Sequence, residues 1–218
     1  MMTRPPRARP GRPRSGDLAD GERRTRMLRT ARDLFQRRGF AAVTISDVAE
    51  AVGVTTAAVH YHFATKAELY AAVMRFVLDE IQRAIRGLAA APEPVTTKLD
   101  QLASFAIVSL QSNADLDSMM RDADEHLAAA HRHEINEAYL GVVAALADLM
   151  REGAARGELA AADPELLAHA FWHLLAGFAG RAGAARGYQG RPEVAAAVMH
   201  LFLHGAGQES MSTGGKAQ

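Results

Sequence analysis

The chain has 218 residues, 49% hydrophobic and 23% charged, a composition that suits a soluble protein of one or two small domains. It has no cysteine, which excludes a disulfide framework and a thiolate metal site, and no uncharged apolar run approaches the ~18 residues of a membrane span. The net charge of zero hides an asymmetry: residues 1–75 carry 14 basic side chains against seven acidic, and the remainder carries 11 against 18. One end therefore suits a polyanion and the other a different task.

Residues 1–20 are expected to form a disordered basic arm, because arginines and prolines follow one another with no periodic apolar residue to bury. Arg9, Arg12 and Arg14 stand in Arg-Pro-Gly-Arg-Pro-Arg, which resembles the AT-hook, a turn that lays arginines in a narrow A·T-rich minor groove. A solubilising tail is the plainer reading. No apolar stretch follows these arginines, so no secretion signal is read and the expected location is cytoplasmic.

Residues 21–75 read as a three-helix DNA-binding domain. The first helix is expected over 21–38, with Met27, Ala31, Leu34 and Phe35 as its buried stripe. Arg24, Arg29, Arg32 and Arg37 fall on its wet side, either as phosphate contacts or as a solvated face. Gly39 is expected to close the helix as a left-handed cap, with Phe40 as the accompanying apolar contact.

From 44 to 66 the chain reads TISDVAEAVGVTTAAVHYHFATK. Thr44 followed by Asp47 is a capping-box-like start, and Ile45, Val48, Ala49 and Val52 share one helical face. Gly53 supplies the positive φ of a tight turn, and Val54 folds back as a plug. Thr55 or Thr56 caps a short second helix through Tyr61 that turns Val59 and Phe63 inward and leaves Thr56, Ala57, His60 and Tyr61 outward. Two helices joined by such a turn form a helix-turn-helix, whose second helix lies in the major groove. Thr65 with Glu68 caps the next helix and puts Lys66 in its first turn.

The run from 24 to 74 resembles the TetR family of bacterial transcriptional regulators. It is similar in its basic first helix, Gly-Phe, Thr-Ile-x-Asp-Val-Ala, Gly-Val-Thr and Tyr-His-Phe-x-x-Lys-x-x-Leu. It departs from the usual pattern at Ala57, where glycine is common, and at His60, where tyrosine is. The resemblance implies that Thr44, Thr55, Tyr61, His62 and Lys66 contact phosphates and that Thr56, Ala57 and His60 lie nearest base edges. Phosphate contacts position and base contacts specify. For His62 a role in stacking against a neighbouring helix is the alternative.

The helix that starts at Thr65 is expected to run to Leu88, on the order of 35 Å, as a lever between this head and the rest. Further helices are expected over 97–111, 117–129, 131–156, 164–184 and 192–204, followed by a frayed tail over 206–218. No strand signal appears. The last two helices are apolar nearly all round, and one core cannot bury every side, so a second copy is the expected partner. Gly177, Gly180 and Gly183 would permit close approach, and the resemblance likewise implies a homodimer through these helices.

The sequence thus predicts an all-α protein with an N-terminal helix-turn-helix domain and a C-terminal helical domain over 76–205 for ligand binding and dimerisation. Phe105, Ser109, Met119, Met120, His126, Tyr139, Val143, Trp172 and His173 are candidate linings of an apolar effector pocket, or else simply core. His169/His173 and His200/His204 have the i, i+4 spacing of a metal pair, but without thiolates or a metalloprotease helix no metal or cofactor is expected. No nucleophile elbow, phosphate loop or dinucleotide fingerprint occurs, so no enzyme is read. Two classes remain: a ligand-responsive regulator, read as a repressor at a pseudo-palindromic operator, and a helical DNA-binding architectural protein that senses nothing. The expected partners are duplex DNA, a small molecule and a second copy, with no membrane.

Overall fold

The computed structural model of the protein describes residues 15–109, 116–179, 183, 185–188 and 190–204. Among these residues the chain is all helix and turn: α1 Ser15–Ala42, α2 Ile45–Val52, α3 Thr56–His62, α4 Lys66–Ala89, α5 Val95–Ser104, a π-helical turn Phe105–Ser109, α6 Leu116–His126, α7 Ala129–Ala155, α8 Pro164–Ala179 and α9 Pro192–His204. No helix of the described residues is long and apolar enough to cross a membrane.

α1 starts at Ser15, not at residue 21, so the last part of the expected arm is helical. Arg9, Arg12 and Arg14 lie outside the described residues. Gly39 interrupts the helix with φ 77° and ψ 167°, which is positive in φ but extended in ψ. The expected left-handed cap is therefore corrected to a sharper kink that only glycine adopts without strain. That kink swings Phe40 back over the helix, where it meets Phe35 and Tyr70 with ring centroids 6.2 Å and 5.0 Å away.

The stripe of Met27, Ala31, Leu34 and Phe35 is buried as its spacing predicts, and Val48, Ala49, Val59 and Phe63 complete the core of the head. Gly53 has φ 76° and ψ 39°, a true left-handed cap. The Val54 amide then reaches the Ala49 carbonyl at 2.9 Å, closing α2 as a Schellman turn, and Val54 packs against the core.

α4 is the shared axis of the molecule. α1 crosses it on the head side, α7 runs along it on the other, and Leu69, Tyr70, Val73, Met74, Leu78 and Ile85 are buried between them. Its C-terminal end is fixed by a buried charge. The Lys98 side chain is almost wholly enclosed, and its Nζ donates to the Ala89 carbonyl at 3.0 Å and meets Glu152 of α7 at 3.2 Å. Arg156 also pairs with Glu152 at 2.6 Å, and Glu158 accepts from the Val95 amide. The ammonium thus satisfies an orphan carbonyl at the end of α4 and welds it to α5 and α7.

The helix expected over 97–111 begins earlier, at Val95, and widens to a π-turn at Phe105. The amide of Gly190, just before α9, bonds the Ile107 carbonyl of that turn at 2.9 Å, so a distant segment holds the irregularity. α6 stops at His126, shorter than expected, and α7 starts at Ala129. α8 is described to Ala179, and Gly180 lies outside the described residues. A Cβ at Gly183 would sit 2.0 Å from the Phe178 carbonyl oxygen, so this glycine serves a contact within the chain.

Candidate nucleic-acid interface and effector cavity

Local capping builds the interface. The Thr44 hydroxyl accepts from the Asp47 amide at 3.1 Å, and Asp47 accepts from the Thr44 amide at 2.7 Å, a reciprocal capping box. The same hydroxyl donates to the carboxylate at 2.7 Å. These bonds from Thr44, with Arg38 3.5 Å away, hold the Asp47 carboxyl below its usual range. Thr55 caps α3 by accepting from the Ala58 amide at 3.2 Å, and Thr65 caps α4 by accepting from Glu68 at 3.1 Å.

The cap of α3 sets its rotation. Val59 turns inward, while Thr56, Ala57, His60 and Tyr61 face solvent, with Tyr61 80% exposed. His60 bonds the Ala64 carbonyl through Nδ1 at 3.2 Å, which requires the proton on that nitrogen and leaves Nε2 outward. Thr44 and Thr55 are exposed at the N-termini of α2 and α3, where backbone amides favour an anion. Arg23, Arg26, Arg37 and Arg38 are exposed on α1 of the same head.

Five of the expected contacts have other attachments. The Lys66 ammonium donates to the carbonyls of Phe40 at 2.8 Å and Ala41 at 3.3 Å, and lies 4.3 Å from the Phe40 ring centroid. It caps the end of α1, where carbonyls gather partial negative charge. The His62 side chain is 7% exposed and turns to Asp20 of α1 at 3.5 Å, in line with the stacking alternative. Arg29 and Arg32 reach Glu80 of α4 at 3.8 Å and 3.6 Å, which braces head against lever. Arg24 lies over the Phe63 ring at 5.2 Å.

Behind the head a cavity of about 140 Å³ opens between α1, α4, α5, α6, α7 and α8. α4 lines it with Val77, Ile81 and Ile85, and α8 with Phe171, Trp172 and Leu175. Phe105 of the π-turn and Leu116 of α6 complete most of the wall, with Gln36 of α1. Of the nine expected lining residues only Phe105 and Trp172 are here. Met119 and Val143 are core, Met120 packs against that core, and the Ser109 side chain lies outside the described residues. His126 is exposed, with its ring stacked on Phe40 at 5.0 Å. Tyr139 turns its hydroxyl to His169 Nδ1 at 3.2 Å, and His173 is exposed beside His169. Periodicity identified Met119 and Val143 as buried but did not separate the positions that border a void from core or from exposed ones such as His126 and His173.

The histidine pairs remain pairs. His169/His173 and His200/His204 have ring centroids 6.4 Å and 5.0 Å apart, and no group of three or more potential metal ligands gathers among the described residues.

Residues 27–73 match the family model described as bacterial regulatory proteins, tetR family. ArpR of Pseudomonas putida, whose name places it among HTH-type transcriptional regulators, is 30% identical over 175 residues, which cover 73% of this chain and 80% of that protein. The HTH-type transcriptional repressor KstR2 of Rhodococcus jostii is 27% identical over 131 residues, and the match spans 56% of this chain and 64% of that relative. Among solved structures, the transcriptional regulator FadR of Bacillus subtilis in complex with stearoyl-CoA superimposes with a TM-score of 0.69 at 16% identity, covering 84% of this chain and 99% of that one.

Proposed function

Because the chain belongs to the TetR family of bacterial regulatory proteins, we propose that it is a ligand-responsive transcriptional regulator, a repressor that a small apolar molecule releases from a pseudo-palindromic operator. The observation that carries this reading is the pairing of two features on one lever. An outward α3 face of Thr56, Ala57, His60 and Tyr61 stands at one end of α4, and an apolar cavity borders its other half. A ligand that favours one tilt of α4 shifts DNA affinity by its differential affinity for the two states.

The working unit is a homodimer through α8 and α9. Leu166 on α8 remains 64% exposed and Leu201 on α9 39% exposed, which supports a partner there. Two recognition helices then meet half-sites about 34–36 Å apart. Among the described residues the cavity wall has no arginine, lysine or histidine, which favours a smaller, uncharged molecule over a CoA thioester such as the one bound by the Bacillus subtilis FadR.

Selection of bound fragments from the source genome, followed by binding to the winning duplex across a salt series, tests the DNA reading. Expected are one preferred inverted repeat and a steep loss of affinity with salt. Equal binding to random duplex would leave the architectural alternative, for which the cavity has no use.

A further inference from the structure

Among the described residues, the wall of the effector cavity holds one carboxamide and no hydroxyl or charged side chain, and that carboxamide belongs to the DNA-binding head. Gln36 lies on α1, three residues before the Gly39 kink, while every other described lining residue, Phe171 and Trp172 among them, is apolar or aromatic. We propose that the Gln36 carboxamide is the recognition group for a small, neutral, largely apolar effector bearing one hydroxyl or carbonyl, so that the effector touches α1 directly. This rests on reading the cavity as the effector site.

Size and chemistry set the ligand class together. The cavity of about 140 Å³ is close to the roughly 150 Å³ that takes a benzene-sized molecule. A charged ligand would lose its hydration and find no countercharge. Gln36 is part-buried at the cavity wall, where a hydroxyl can pair with its carboxamide donor or acceptor and a hydrocarbon of the same shape cannot. The π-turn in the wall offers less competition, because its Ile107 carbonyl is already bonded to Gly190. Gln36 is thus the group that distinguishes an alcohol from a hydrocarbon of the same shape. It also lies between Arg32, which holds Glu80 of α4, and Phe40, which meets α6.

Trp172, the single tryptophan of the chain, lines the cavity, so its fluorescence reports occupancy in the full-length protein. Cyclohexanol and methylcyclohexane, equal in heavy atoms, are the probes. Both should perturb Trp172, and Gln36→Leu should weaken cyclohexanol about tenfold relative to methylcyclohexane, the worth of about one hydrogen bond. Gln36→Glu should acquire binding of cyclohexylamine that the parent lacks, a gain that misfolding cannot produce. Equal changes for both probes in Gln36→Leu, or no amine binding in Gln36→Glu, would overturn the role of Gln36 while leaving the cavity as a ligand site. Silence of Trp172 toward both probes in the parent would overturn cavity and assignment together. Neither failure touches operator binding, which the fragment selection measures on its own.

Discussion

Asp122 on α6 accepts a 2.9 Å hydrogen bond from the backbone amide of Phe40, which the Gly39 kink turns outward from α1. This bond crosses from body to head. His126, one turn along α6, stacks on the Phe40 ring from the same side, and Lys66 takes the Phe40 carbonyl, so one residue is held through its amide, ring and carbonyl. Asp122→Ala should cost about 1.5–3 kcal/mol, as expected for a lost bond to a charged group. Urea unfolding would measure it, and because the bond joins two elements, ligand-induced release of operator should weaken as well. A variant with parental stability and parental release would show the joint to be idle.

Tyr70 gives the joint an alkaline limit. Its hydroxyl donates to the Met119 carbonyl at 3.0 Å, and burial, followed by the charge of Asp122, pushes its phenol well above the usual 10.0. A group raised in the folded state contributes stability that is intact below its unfolded pKa and falls as pH rises above it. Parental stability should therefore decline above pH 10, where the unfolded phenol ionises and the native one does not. Tyr70→Phe should cost about 1–2 kcal/mol at neutral pH through the lost bond, and its deficit should shrink above pH 10. Unfolding curves at several pH values decide this, and a constant deficit would remove the argument.

On the DNA side, position and type of contact predict different phenotypes. Tyr61→Phe should weaken all duplexes alike, since an exposed hydroxyl at the edge of α3 suits a phosphate. Thr56→Ala should instead alter preference at one or two base pairs, with a wrong-base cost of about 1–3 kcal/mol. Binding to a library of operator variants separates the two. If the Thr56 profile matches the parent, α3 is not read through that residue.

Lys98→Met should be among the most destabilising single changes in the body, about 2–3 kcal/mol, because it strips a buried ammonium from Ala89 and Glu152. Arg156 still attends Glu152, which limits the loss. Adding Glu152→Met should then cost less than it does in the parent, and a double-mutant cycle reads that coupling. Strict additivity would mean that the two charges do not stabilise one another.

The head was legible in the sequence because its determinants are local. Thr44 with Asp47, Thr55, Thr65 with Glu68, and Gly53 each act on amides within four residues, so spacing alone located α2, α3 and the start of α4. Gly39 was placed correctly but not its ψ, which depends on where Phe40 must go. Lys98 and Gln36 carried no local signal. One is an ordinary lysine in an amphipathic helix until Ala89 and Glu152 close over it, and the other is a wet-face glutamine until α4 and α8 enclose a void beside it. The bonds that Lys66 makes to the end of α1 carried no local signal either, since their carbonyls are about 25 residues upstream.

With its C-terminal end pinned at Ala89, α4 is a lever of unequal arms. Ile81 in the cavity wall lies eight residues from the pin, about 12 Å, while Lys66 at the head lies 23 residues away, about 35 Å. Displacement is therefore multiplied about threefold from cavity to head. A ligand that wedges Ile81 aside by about 1 Å would carry the root of the head by about 3 Å. In a symmetric pair the displacements add, because each recognition helix moves relative to a shared axis. If the protein works as the proposed dimer, a very small guest upsets a spacing that the DNA repeat fixes.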